Sequence, residues 1–247
     1  MRKIFTSILL TAAALVSRGE DQNCPVIQAV RTSSLPFSAE MTAPAWKNAP
    51  AYAFYKTAGT LEDFYRLPKE KAVVKLLYDD NYLYVGVRLQ DSEVVSSGKS
   101  NQTFLFALGD TVEVFLKPAG EKYYWEIYGT PGKLTSCFYF RSRGVAGLSE
   151  CYQYPLPAIK VDAVIDGTFN NWRDRDKGWK LLIAIPLKEL RKNGLKFTTE
   201  ENWTILVARY NYSRFLEETE LSGFPQIIPD FHPLKNYARL ELVTTTK

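Results

Sequence analysis

From residue 72 onward, apolar and polar positions alternate in short runs. In Tyr82–Leu89 (YLYVGVRL), Leu83, Val85, Val87 and Leu89 fall on one side, and Tyr84, Gly86 and Arg88 fall on the other. A period of two is that of a strand with one face against a core. The run before it, Ala72–Tyr78 (AVVKLLY), is β-branched and aliphatic, and Asp79-Asp80-Asn81 between the two is a turn cluster. Thr111–Lys117 sets Val112, Val114 and Leu116 against Glu113 and Phe115, and Lys122–Tyr128 sets Tyr123, Trp125 and Ile127 against Tyr124, Glu126 and Tyr128. Pro118-Ala119-Gly120 and Thr130-Pro131-Gly132 turn the chain, the second into Lys133–Phe140. The pattern predicts further strands at Ile159–Ile165, Trp179–Ile185, Trp203–Tyr210 and Ala238–Val243, and one short helix, Leu187–Lys192, after Pro186. Short strands separated by turns define an all-β fold: an antiparallel β-sandwich, jelly-roll or immunoglobulin-like, with one short helix. No internal repeat or linker interrupts residues 24–247, which read as one domain with an irregular lead-in over residues 24–71.

The first residues change the charge picture. Arg2 and Lys3 precede a largely apolar run, Ile4 to Val16, and Ser17-Arg18-Gly19 offers small residues where a signal peptidase cuts. The run is shorter than the roughly 20 residues of a membrane span. Residues 1–19 therefore read as a cleaved signal peptide, and the mature chain as secreted or periplasmic. Cys24 is a poor lipidation site, since Asp21-Gln22-Asn23 before it is neither apolar nor small. Removal of three cations (Arg2, Lys3, Arg18) and no acid takes the formal charge from +4 to +1. Little positive charge is then left to attract nucleic acid or an anionic membrane.

Common catalytic signatures are missing. His232 is the single histidine, and no GxSxG, HExxH, CxxC or Gly-rich phosphate loop occurs. A haem held by Met and His would have only Met41 and His232 to use once the leader is gone. No cofactor is expected. Asp79, Asp80 and Asp91 are loop or strand-end carboxylates of the kind that holds a structural Ca²⁺, although their spacing does not demand one. Cys24, Cys137 and Cys151 make an odd count, and Cys137 and Cys151 flank a Gly/Ser-rich loop that a disulfide between them would close.

The run Val74 to Val85 (VKLLYDDNYLYV) resembles the signature hairpin of the family 9 carbohydrate-binding modules. Gly109–Leu116 (GDTVEVFL), Gly178-Trp179 through Leu187, and Asp230-Phe231-His232 through Leu240 are similar to the family's later motifs, and Ala45-Trp46 to its early one. The motifs stand in the family's order over roughly residues 35–245. The resemblance implies a non-catalytic sandwich that holds an oligo- or polysaccharide between two tryptophans, with a glutamate and an arginine on its hydroxyls. Carried over by position, the glutamate is Glu113, the first tryptophan falls near Ala107 with Phe106 beside it, the second falls on Phe231, and the arginine on Glu126. The fold motifs are kept and the clamp is altered.

The residues themselves leave several roles open. Tyr84, Arg88, Glu113, Glu126 and Tyr128 share the less apolar face, as lining of a sugar groove or as an ordinary polar sheet face. Trp46, Trp125, Trp179 and Trp203 read as packing, whereas Trp172, in a polar loop, is the tryptophan to assign to a ligand. Arg209 is either a ligand anchor or a structural cation. Three functions follow. The first is an exported glycan-binding module acting beside glycoside hydrolases or cell-surface glycan-processing proteins. The second is a glycosidase using Glu113 and Glu126. The third is an assembly protein on the same fold that binds no sugar.

Overall fold

The computed structural model describes residues 24–57, 66–144, 151–153, 155–190, 197 and 201–244. The expected leader, residues 1–19, lies outside them. Among the described residues thirteen strands run in chain order. The first five are β1 (Val26–Arg31), β2 (Tyr52–Ala53), β3 (Tyr55–Lys56), β4 (Ala72–Tyr78) and β5 (Tyr82–Gln90). The middle four are β6 (Thr111–Pro118), β7 (Tyr124–Gly129), β8 (Thr135–Phe140) and β9 (Lys160–Asp166). Last come β10 (Gly178–Pro186), β11 (Trp203–Asn211), β12 (Glu220–Phe224) and β13 (Ala238–Val243). Every strand predicted from alternation is present, with ends shifted by two residues at most.

Hydrogen bonding follows one path, β8-β7-β6-β11-β13-β1-β4-β5-β10-β9. The path doubles over, so that β6, β7, β8 and β11 form one leaf and β4, β5, β9 and β10 the other. Val85 and Val87 of β5 and Ile183 of β10 meet Val112 and Val114 of β6 and Ile205 of β11 in one core. Of these, Val85, Val87, Val112 and Val114 are residues that alternation placed on the apolar side. Each such side chain, taken out of water, contributes about 1.5–3 kcal/mol. The four tryptophans read as packing are all buried, Trp203 stacking on Trp125 at 6.0 Å between ring centres.

Four expectations need correction. The lead-in is not irregular: it supplies β1, β2, β3 and the helix α1 (Pro44–Asn48). β1 pairs in parallel with both β13 and β4, so the sandwich is not purely antiparallel. Its partners are remote in sequence, and a six-residue run of mixed polarity carries no local sign of them. The helix expected at Leu187–Lys192 is a turn over its described residues, Leu187–Leu190, with bonds of the 3₁₀ kind from Glu189 N–H to the Pro186 carbonyl and from Leu190 N–H to the Leu187 carbonyl. Finally, Cys137 and Cys151 are separate buried thiols. Cys137 points into the core between the leaves, whereas Cys151 packs with Phe138 and Tyr128 on the outside of β8. The strand stands between them.

The two outer faces are finished differently. On β4, β5 and β10 the lead-in lies across the sheet, with Met41 and Trp46 packed on Leu77, Tyr84, Leu182 and Ala184. Gly86 makes this possible, because a side chain there would stand 2.7 Å from the Trp46 ring and 2.6 Å from Met41 Sδ. The outer face of β6, β7, β8 and β11 is covered only in part, by Ile227, Phe231 and Tyr237 packed on Phe115 and Leu206. No helix among the described residues is long and apolar enough to cross a membrane.

Candidate functional site

The uncovered part of that second face is a cleft of about 430 Å³. Strand register builds its floor. Glu113 of β6 lies opposite Tyr128 of β7, and Phe115 lies opposite Glu126, so the two glutamates are diagonal neighbours on one face. Side chains in that relation stand about 7–8 Å apart at their bases, within reach of one another. Tyr124 lies opposite Phe140 of β8, and Tyr210 of β11 opposite Thr111.

Loops supply the walls. A 3₁₀ turn, Leu105–Ala107, carries Phe106 to the cleft with Phe104 before it. It is held from below: Tyr212 Oη donates to the Phe106 carbonyl at 2.8 Å, and the Asp110 carboxylate accepts from Tyr212 N–H at 2.8 Å and Val95 N–H at 2.7 Å. Gly109, between turn and strand, has φ +137° and lies against the Val95 carbonyl, which leaves no room for a side chain. Phe106 meets Tyr210 at 5.2 Å and Tyr128 edge-on at 6.1 Å, while Tyr124 stacks on Phe140 at 5.0 Å. His232 stands over Phe115 at the far side, and Arg143 is at the rim.

The floor is electrostatically unusual. Both glutamates are almost wholly buried. Burial pushes the Glu113 carboxyl well above the usual range, and repulsion from Glu126 adds to it. Burial raises Glu126 to about 7, against the pull of hydrogen bonds from Tyr128 and Tyr124. Tyr128 Oη donates to Glu126 Oε2 at 2.8 Å. Glu126 Oε1 is buried and has no hydrogen-bond partner. Its nearest basic atom is His232 Nδ1 at 3.6 Å, and burial lowers the pKa of that imidazole. A buried acceptor left open normally costs about 1–3 kcal/mol, so an orphan on a residue that lines a cleft marks a place for a donor.

The sequence-derived site residues divide in two. Glu113, Glu126, Tyr128 and Phe106 come together around the cleft. Phe231 lies behind it, buried, its ring against Tyr210 at 5.5 Å and Phe115 at 6.2 Å. Tyr84 and Arg88 are on the outer face of the other leaf, so the shared less apolar face is two faces on opposite sides of the sandwich. Tyr84 is covered by the lead-in and donates to Asp79 Oδ2 at 2.8 Å. Arg88 lines a larger hollow of about 590 Å³, rich in lysine stems and aliphatic side chains. Trp172 is 69% exposed under the Arg173 guanidinium, away from the cleft.

Arg209 points into the interior, where Nη2 meets Asp91 Oδ2 at 2.8 Å and Asn211 Oδ1 at 2.7 Å. Its Nη1 donates to the carbonyls of Gln90 and Glu70. It is the structural cation of the two roles. Asp91 also accepts from Trp179 Nε1 at 3.0 Å, and Asp79 from two backbone N–H groups, so these carboxylates are occupied within the protein. Among the described residues, no group of three His, Cys, Asp or Glu is placed to hold a metal ion.

Sequence reasoning passed over Phe104, Tyr124, Phe140, Tyr210, Arg143 and His232 as lining residues. Alternation carried a signal for three of them: Tyr124 shares the side of Glu126, Phe140 that of Phe138, and Tyr210 is out of phase with Val207. The loop residues had no such signal.

With the cleft described, comparison with known proteins is informative. Residues 39–130 match the carbohydrate family 9 binding domain-like family, which bears out the resemblance read from the motifs. No curated protein matches the chain. A Bacteroides uniformis protein with a provisional carbohydrate-binding description has a similar fold, with a TM-score of 0.65 at 10% identity, over 88% of this chain and 99% of its own. A family 9 carbohydrate-binding module of Caldicellulosiruptor kristjanssonii, solved with cellotriose, gives a TM-score of 0.56 at 12% identity, over 90% and 95% of the two chains. Its glucose complex gives 0.51 at 12% identity, over 89% and 97%. The likeness establishes the β-sandwich.

Proposed function

We propose that the chain is a non-catalytic saccharide-binding module whose ligand, an oligo- or polysaccharide, lies in the cleft over β6 and β7. One observation carries this reading: two buried carboxyls, one with an open oxygen, form the floor of a cleft walled by aromatic rings. A pyranose is complementary to such a place. Its C–H face packs on aromatic faces, and its hydroxyls donate to carboxylate oxygens, which makes short, strong hydrogen bonds. The cleft volume is within the range of small-ligand sites, about 300–1,000 Å³. The sugar complexes of the Caldicellulosiruptor module support saccharide as the ligand class.

A glycosidase sets two carboxyls about 5–10 Å apart along the scissile bond. Glu113 and Glu126 are diagonal neighbours on one sheet face with bases about 7–8 Å apart, so their spacing alone does not separate binding from turnover. Binding without turnover is the reading supported by the family match and by the sugar complexes of the Caldicellulosiruptor module. Export by the leader would put the module beside glycoside hydrolases or cell-surface glycan-processing proteins, which supply the chemistry it lacks.

Isothermal titration of the mature chain with xylo-, cello-, manno- and galacto-oligosaccharides tests the reading. Saturable heat with one class, weakened at least tenfold by Glu113→Gln and unaccompanied by hydrolysis, is the expected result. A flat response across all classes would overturn it in favour of an assembly role. Hydrolysis abolished by either Glu→Gln change would make the chain an enzyme.

A further inference from the structure

The ligand's charge can be read from what the cleft lacks. Glu113 and Glu126 share its floor, both buried, and burial, with repulsion from Glu126 adding to it, disfavours the ionised form of Glu113. Buried acids are normally found with a cation or a full set of donors. Elsewhere in this chain that rule is kept, since Asp91 has Arg209 at 2.8 Å with both side chains wholly buried. In the cleft it is not. Arg143 is the only Lys or Arg among the described lining residues, and it stands at the rim, more than half exposed, 4.0 Å from Asp230. His232 stays 3.6 Å from Glu126 Oε1, outside hydrogen-bond distance. Glu126 Oε1 therefore remains an open, buried acceptor.

The aromatic lining points the same way. Phe104, Phe106, Tyr124, Phe140 and Tyr210 surround the acids, and the electron-rich faces of such rings attract an ammonium within about 6 Å of the ring centre. A neutral hydroxyl satisfies one acceptor. An ammonium carries three donors and the missing charge, and so answers the orphan oxygen, the acid pair and the rings together.

We infer that this cleft selects a saccharide bearing a protonated amine, an amino sugar with its nitrogen un-acylated, seated with the ammonium between Glu126 and Glu113. The inference rests on the saccharide reading above and adds the substituent that the site discriminates.

The test is calorimetric titration of the mature protein with three tetramers of equal linkage: β-1,4-linked glucosamine, its fully N-acetylated form, and cellotetraose. The expected result is that the glucosamine tetramer binds at least tenfold more tightly than either neutral one. Glu126→Gln, which keeps shape and removes charge, should lower affinity for the glucosamine tetramer at least tenfold more than it lowers affinity for cellotetraose, so that the preference is lost; Glu113→Gln serves as the second variant. Equal affinity for all three tetramers would overturn the amine preference and leave the saccharide reading standing. A preference that survives both variants would overturn the assignment of the ammonium to the acid pair. Binding of none of the three, nor of the neutral panel, would bring down the saccharide reading and this inference with it.

Discussion

Two groups of buried acids lie on the same short stretch of the sandwich, and they are built on opposite principles. At one end of the core, Asp91 is closed in by Arg209, Trp179 Nε1 and the Glu93 N–H, and Glu70 by Asn211. Only the Arg209 Nε in this group is left without an acceptor. On the outer face of β6 and β7, Glu113 and Glu126 are as deeply buried but have no cation between them, and Glu126, which lines the cleft, keeps an oxygen without a hydrogen-bond partner. Burial raises the pKa of acids in both places, Asp91 to about 6 against the pull of Arg209 and Glu126 to about 7. Depth of burial therefore does not separate architecture from site. Completion of the partner set does: the first group is finished within the chain, and the second waits for a partner from outside.

The comparison can be broken most severely at Arg209. Arg209→Met leaves Asp91 and Asn211 with buried polar atoms unmatched, and unfolding should lose about 3–5 kcal/mol. For a chain of this size that is a fall in Tm of roughly 10 °C by thermal denaturation, with little change in sugar affinity once folded. A small stability loss with abolished binding would reverse the roles assigned here.

Next in size is the pH dependence of the second group. The folded Glu126 holds its proton up to about pH 7, whereas in the unfolded chain it gives it up near 4.5. Between those values the folded state binds more protons, so stability falls as pH rises, by on the order of 3 kcal/mol from this group. Glu113 shifts in the same direction and adds to the slope. Urea unfolding at pH 4.5 and pH 8 should show wild type losing much more stability than Glu126→Gln. Equal losses would mean that Glu126 is not held protonated by its surroundings.

A smaller effect is expected at the walls. Phe106→Ala removes a ring that packs on Tyr210 and faces the cleft, and an aromatic contact of this kind contributes about 0.5–1.5 kcal/mol. Titration should show roughly two- to tenfold weaker saccharide binding, with the fold kept. Smallest of all is Trp172→Ala: the ring is exposed and outside the cleft, so stability should change by less than about 0.5 kcal/mol and affinity by less than twofold. A large loss of binding there would move the site to the loop around residue 172.

Alternation alone identified the nine longest-patterned strands and the apolar residues that meet between the leaves, because a strand with one wet face has to write period two into its sequence. It also put Glu113 and Glu126 on the outer side of neighbouring strands, and the absence of His, Cys and phosphate-loop patterns narrowed the chemistry available. What alternation cannot say is which outside a residue faces. Tyr84 and Glu113 are both out of phase with the core, yet the lead-in covers one leaf and leaves the other open, a choice made by α1, remote in the chain from either, and admitted by Gly86. The parallel β1, the inward turn of Arg209 and the separation of Cys137 from Cys151 by the thickness of a strand are of the same kind. The sequence by itself determined the strands, their two-faced character and the acids at the site. The tertiary structure decided which acids found their partners inside the chain, because that depends on strands and loops brought together from remote positions and on no local pattern.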